Sequence, residues 1–434
     1  LCVSICGLIF SQDKVLLTGG LILLGKDFIE FLYEAAHIQR WNDHIRPGGF
    51  TELDKQAHKM MILYILARYE EEDHGAVLDW RALIEGGIIE FLHRIVLTDI
   101  KPPVFYKLMK VHGRELNGWV YEQLQTRIPC FDRGFLDKMR DHLDDPSYKP
   151  KEKKILRGAH YLASQWEFNL IYHFNQGIYG VEKTREEIAN EIEAHYDLAG
   201  VQKLALHGKT SKFVDLIGQL RFQKRWSQSP RVPETSVMGH VLVVAVLAYF
   251  CSLEIGADDD RIVSNFLCGL FHDLPEVLTR DIISPVKTSV SGLDELIKKI
   301  ERQQIEEKLL PLVPETWHDD INYYTQNEFL DKCRMGNEIK VFKTEAELSA
   351  FVAENTGLVH HVVDGEILKG CDHLAAFVEA WLSLEYGISS KHLRNGTKDL
   401  MRRYAGKNIG GVDFGKIYQE FKVSAIKNDV TKYI

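Results

Sequence analysis

Four landmarks occur twice in this chain, in the same order, and that repetition limits its architecture more than any other feature. Gln39-Arg40-Trp41 follows the segment Lys26 to Leu32, and Lys224-Arg225-Trp226 follows Lys212 to Ile217. A histidine then stands inside a long apolar stretch in each, His58 first and His240 second. Phe91-Leu92-His93-Arg94 answers Leu270-Phe271-His272-Asp273, and each run leads on to a Pro-Val, Pro103-Val104 or Pro285-Val286. Last, Ile155 to Ala163 matches Ile367 to Ala375, which sets His160 against Asp372. The separations are 185, 182, 179 and 212 residues, so the second copy carries an insertion of about 33 residues, the difference between the last two. Residues 20–175 read as one domain and 212–390 as its duplicate. Residues 1–19 form an apolar N-terminal segment, 176–211 a helical connector built on the charged stretch Val181 to His195, and 391–434 a C-terminal tail.

Both copies predict helices. Apolar residues recur every three or four positions through Met60 to Tyr69, Val241 to Leu253, Leu293 to Leu310 and Leu368 to Leu384. Pro275 and Pro285 stand where a helix cannot continue, and no series of alternating strands is seen. The expected class is all-α, two tandem helical domains. The apolar run Val241 to Cys251 is 11 residues, well short of the roughly 20 a membrane helix needs. Leu1 to Phe10 lacks a basic flank, so a signal peptide is not expected. Seven cysteines without a Cys-x-x-Cys pair, two of them (Cys251 and Cys268) in apolar stretches, fit buried thiols in a reducing cytoplasm. Lys plus Arg number 53 against 62 Asp plus Glu, a net charge of −9. That balance excludes a broad nucleic-acid surface, which needs surplus cations.

The second copy concentrates donor groups. His240, His272-Asp273 and Asp372 are nitrogen and oxygen donors delivered by three separate helices. Two imidazoles and two carboxylates suit one divalent ion such as Mn, Co, Ni, Fe or Mg. Helix neighbours point about 100° apart, so His272 and Asp273 reach one ion only where their helix ends, as Pro275 predicts. The wider string joins Arg225-Trp226, Glu234-Thr235-Ser236-Val237, His240, His272-Asp273-Leu274-Pro275-Glu276-Val277-Leu278-Thr279, Asp281 and Pro285-Val286-Lys287. It resembles the HD superfamily of metal-dependent phosphohydrolases, and within it the bacterial HD-type 5′-deoxynucleotidases, over about 180 residues of copy two.

The resemblance implies His240, His272, Asp273 and Asp372 as ligands of one divalent ion. It implies Glu276 as the carboxylate that positions or deprotonates the attacking water, a role within hydrogen-bond reach of a carboxylate. Asp281 is the second expected catalytic carboxylate, accepting from a sugar hydroxyl or orienting Lys287. Arg225, Trp226 and Lys287 are the expected substrate contacts, the two cations for phosphate and Trp226 as a wall for sugar or base. Gly239 departs from the family, whose members carry an acidic residue before the ligand histidine. His360-His361 reads as a surface pair.

Copy one presents His58, His93, Arg94 and His160 at the matching places. Arg94 sets a permanent cation where copy two has an anionic ligand, so copy one is expected to be a degenerate pseudo-enzyme, with Asp99 as the partner of Arg94. Members of the family pair as homodimers, so the duplication implies an intramolecular pseudo-dimer, with a further homo-oligomer left open. The expected activity is removal of phosphate from nucleoside 5′-monophosphates, deoxynucleotides above all. A phosphodiesterase, a nucleoside triphosphate hydrolase and a non-catalytic metal-nucleotide regulator are the alternatives.

Overall fold

A computed structural model describes residues 24–127, 133–280, 282 and 290–427. The apolar segment 1–19, Asp281, Pro285-Val286 and Lys287 lie outside the described residues.

The molecule is helical, as the periodicity predicts, and its two halves repeat a local plan. A short helix, Lys26–Glu34 or Lys209–Gly218, runs into an Arg-Trp loop whose tryptophan takes positive φ, 55° at both Trp41 and Trp226. An isolated antiparallel bridge closes each loop, Gln39↔Thr51 and Lys224↔Ser236. The bridge residue then caps a long helix. Thr51 accepts from Asp54 N at the head of Glu52–His74, and Ser236 accepts from Gly239 N at the head of Val237–Glu254. The next helix in each half is capped by an aspartate, Asp79 for Trp80–Leu97 and Asp258 for Asp259–Phe271. A long helix completes each set, Pro150–Asn175 and Gly365–Glu385.

These caps correct one sequence pairing. Thr51 and Ser236 begin the long helices, and the fourth residue along is Lys55 in one and His240 in the other. His58 lies one turn farther on, buried, with its ring nitrogens at Val214 O (3.2 Å) and Arg221 (3.3 Å). The residue that answers His240 is Lys55.

One hydrophobic core runs through both halves, from Leu24 to Phe421. Val237–Glu254 lies at its centre. By length and composition this helix is apolar enough to cross a membrane, yet 89% of its apolar window is buried in the protein. It packs closely on Asp259–Phe271, where a Cβ on Gly269 would come within 2.9 Å of Ala245 Cα. Cys251, Cys268, Cys333 and Cys371 are buried free thiols.

Two features depart from expectation. The insertion in the second half holds a small antiparallel sheet, β1 (Asp331–Met335), β2 (Glu338–Phe342) and β3 (Val359–Val363), in the order β2-β1-β3. It closes over its own cluster of Cys333, Leu348 and Val362. His360 is exposed on β3, and His361 sits 3.8 Å from Asp260, so this pair stands apart from the donor set. The segment expected as a tail instead forms two helices, Lys391–Tyr404 and Phe414–Lys427. Phe414, Ile417, Tyr418 and Phe421 recur at helical spacing and are buried, with Tyr418 against Phe377 and Phe421 against Phe377 and Trp381. Each such side chain contributes about 1.5–3 kcal/mol on burial, which is why the segment docks.

Candidate metal centre

The donor groups converge because four backbone devices aim them. His240 is the fourth residue of Val237–Glu254, so it projects from the first turn, held by its N–H to Ser236 O at 3.0 Å. The Asp259–Phe271 helix ends immediately before His272-Asp273, as the pair requires, and the chain turns through Leu274-Pro275 into the short helix Glu276–Thr279. Asp372 lies in the middle of Gly365–Glu385. The Arg225 loop is fixed by Arg225 N–H to Thr235 O and Val237 N–H to Gln223 O.

His240 Nε2 lies 2.9 Å from Asp372 Oδ1 and 3.9 Å from Asp273 Oδ2. His272 Nε2 lies 3.3 Å from Asp273 Oδ2, and His240, His272 and Asp273 offer donor atoms within 4.8 Å of one another. Both imidazoles are buried, while Asp273 and Asp372 keep 19% and 18% of their side chains exposed. That exposure leaves one face of the cluster open to solvent.

These donors fit a cation. The His272 Nδ1 donates to Gly269 O at 2.8 Å, so a neutral ring turns the Nε2 lone pair toward the Asp273 carboxylate. Nε2 has no hydrogen-bond partner there. A buried lone pair facing a carboxylate is repulsive unless a proton or a metal lies between them. Without metal the proton serves. Burial works against the imidazolium, but Asp273 outweighs it and raises His272 to about 9. Burial likewise opposes ionisation of Asp273, which His272 and Arg225 hold down at about 2.

Glu379 is the residue that sequence reasoning missed. It stands two turns after Asp372 on the same helix, so both carboxylates face His240, Asp372 at Nε2 and Glu379 Oε1 at Nδ1, 3.4 Å away. Glu379 is fully buried. It also accepts from Trp226 Nε1 (3.1 Å) and Thr235 Oγ1 (3.0 Å) and pairs with Arg225 Nε (3.4 Å) and Arg231 (3.9 Å). The seven-residue spacing was visible in the sequence, because Glu167 follows His160 in the same way.

The other expected residues divide. Arg225 reaches the cluster, its NH1 3.4 Å from Asp273 Oδ2. Glu276 is buried on the adjoining turn, its N–H donating to Asp273 O at 3.0 Å. Trp226 is held at Nε1 by Glu379, and its ring abuts the Lys391–Tyr404 helix so closely that a Cβ on Gly396 would meet it at 2.7 Å. A cavity of about 350 Å³ opens along this loop, lined by Arg225, Trp226, Arg231, Glu234 and Thr235 and by none of the four donors. Asp281 and Lys287 lie outside the described residues.

Gly239 also gains a reason. A Cβ there would lie 3.0 Å from Leu53 and 3.1 Å from Asp54 Oδ1. Asp54 comes from the first half and accepts from both cap hydroxyls, Thr51 Oγ1 (2.7 Å) and Ser236 Oγ. One carboxylate thus serves the junction of the two long helices, and position 239 has no room for another.

In the first half, Arg94 finds its carboxylate partner in Glu52 (3.9 Å) and donates to Ile100 O, while Asp99 accepts from Asn42. The expected Arg94–Asp99 pair is therefore replaced by Arg94–Glu52, because Glu52 points inward from the first turn of its helix.

Residues 217–401 match the family model described as HD domain. A 5′-deoxynucleotidase from Vibrio atlanticus is 31% identical over 117 residues, 26% of this chain and 60% of that protein. A 4′-phosphooxetanocin A phosphatase from Priestia megaterium is 32% identical over 124 residues, 28% of this chain and 63% of that protein. The chain spans about 60% of the length of these curated relatives. The crystal structure of an HD-domain phosphohydrolase from Listeria innocua aligns at 14% identity and TM-score 0.34, covering 51% of this chain and 87% of that one. The second half of this chain is an HD domain, the fold unit of the HD-superfamily phosphohydrolases.

Proposed function

We propose that the second half is a metal-dependent phosphomonoesterase acting on nucleoside 5′-monophosphates, with deoxynucleotides as the preferred class. The observation that carries this reading is the His272 Nε2 set 3.3 Å from Asp273 Oδ2 without an aligned hydrogen bond, inside a donor set that fits a cation and stands beside Arg225. The relatives named 5′-deoxynucleotidase support the substrate class.

His240, His272, Asp273 and Asp372 would hold the ion. A divalent ion bound there would polarise a phosphoryl oxygen and acidify a water. Arg225, fixed at Nε by Glu379 and at NH1 by Asp273, brings its guanidinium to the edge of the cluster, where it meets a phosphate oxygen. Glu276 takes the proton of the attacking water from the turn next to Asp273. Trp226 holds the Arg225 loop through Glu379, and the side of its ring turned away from Gly396 serves as a wall for the nucleoside. Lys287 and Asp281 complete the reading as a second phosphate contact and its orienting carboxylate.

The first half we read as a degenerate copy that docks on the second as an intramolecular pseudo-dimer. The matched loops, bridges and caps, and the shared Asp54, support this.

Incubating the full chain with Mn and dAMP, dATP or a cyclic nucleotide separates the alternatives by product. Inorganic phosphate from dAMP is expected. Triphosphate from dATP or ring opening would move the protein to another HD reaction, and tight binding without turnover would make it a regulator.

A further inference from the structure

We propose that in the first half basic side chains, Lys55 and Arg94, stand where the second half gathers its metal ligands, so that the chain binds one divalent ion and not two. The count rests on the metal reading of the second half. The placement of Lys55 does not.

The register comes from the caps. Lys55 is the fourth residue after Thr51, as His240 is after Ser236. In the second half the side chain at this position meets Asp372 at 2.9 Å. In the first half Lys55 Nζ meets the corresponding residue, His160, at Nδ1, 2.6 Å away. The place is the same and the chemistry differs, with an amine replacing an imidazole and an imidazole replacing a carboxylate. Lys55 is fully buried, and burial holds its amine well below the usual lysine range, with Glu52 on the same turn opposing that shift.

The remaining positions agree. Arg94 stands where Asp273 stands and pairs with Glu52, which also accepts from Arg40 at 2.9 Å. Glu167, the counterpart of Glu379, is taken by Arg40 (2.7 Å), Trp41 (2.9 Å) and Arg221 (2.7 Å). Of the four ligand positions only His93 keeps its residue type, and its Nε2 is engaged by Asn117 at 3.0 Å. The first-half cluster thus gathers Arg40, Lys55 and Arg94, with Arg221 reaching in from the second half, around Glu52 and Glu167, whereas the second gathers Arg225 and Arg231 around Asp273, Asp372 and Glu379. Three arginines face two carboxylates in the first cluster, and two arginines face three carboxylates in the second.

The test is metal per chain, measured by mass spectrometry on the full chain after loading with Mn and desalting. The wild type is expected to hold one ion and Asp273→Ala none. The triple variant Lys55→His, Arg94→Asp, His160→Asp, which leaves His93 in place, is expected to hold two. Two ions in the wild type, with one surviving Asp273→Ala, would overturn the proposal. A wild type without any ion refutes the catalytic reading alone. The triple variant then decides this proposal, supporting it by gaining an ion and overturning it by gaining none. Circular dichroism melting establishes that the triple variant folds, and if it does not, the Asp273→Ala count decides.

Discussion

Replacing Glu379 by Gln removes one negative charge without changing shape, at the point where stability and the site meet. The carboxylate is fully buried and faces Arg225, Arg231, His240, Trp226 and Thr235. Removing one partner of a buried ion pair costs about 3–5 kcal/mol, because the other charge is left uncompensated. Gln retains an acceptor for Trp226 or Thr235, which places the expected loss at the lower end, about 3 kcal/mol. For an unfolding unit of 150–250 residues that corresponds to a melting-temperature drop of roughly 6–12 °C. The pH profile carries the sign. Burial opposes ionisation of Glu379, but Arg231 and Arg225 hold its carboxyl well below the usual range. The stabilisation it provides is therefore present above the unfolded value of about 4.5 and is lost progressively as pH falls below it. Calorimetry should show a constant gap between wild type and variant from pH 5 to 8 and a shrinking gap at lower pH. Because Glu379 also orients His240 through Nδ1, metal affinity should fall 10–100-fold. A variant that melts within 1 °C of the wild type (roughly 0.3–0.5 kcal/mol) and binds metal equally well would refute the reasoning.

Two further variants test the junction and the C-terminal helices. Gly239→Asp places a second buried carboxylate against Asp54 and should cost about 4 kcal/mol at an effective dielectric of 20. Asp54→Asn in the same chain should recover much of that loss, and additive losses in chemical denaturation would contradict the shared-carboxylate junction. Phe421→Ala empties a fully buried ring site beside Phe377 and Trp381 and should destabilise by about 3–5 kcal/mol. Unchanged unfolding would mean that the last helix does not belong to the core.

The sequence made the helices legible because each carries a strong signal. Val237–Glu254 is an apolar run with a Ser cap, and Asp79 and Asp258 cap the helices that follow. The sheet was illegible for the opposite reason. β1 is Asp-Lys-Cys-Arg-Met, five residues whose charges hide any alternation, and its cluster forms only when Leu348 and Val362 arrive from elsewhere. The last helices are hard to see in the sequence because charged residues dominate positions 391–407, although Phe414, Ile417, Tyr418 and Phe421 carry helical spacing. At the site, His240, His272, Asp273 and Asp372 were readable from residue type and order, and they converge. Residue type alone aligns His58 with His240, whereas the caps fix the register and select Lys55. Glu379 belonged to no motif, and its importance lies in contacts with Arg225, Arg231 and Trp226, which are brought together only by folding.

The most direct test of the central claim is phosphate release from dAMP by the wild type and Asp273→Ala, with bound metal counted in the same samples. The metal reading predicts that the wild type turns over with one ion bound, that chelation abolishes turnover, and that Asp273→Ala loses ion and activity together. Turnover that persists in Asp273→Ala, or in the wild type under chelator, would contradict it.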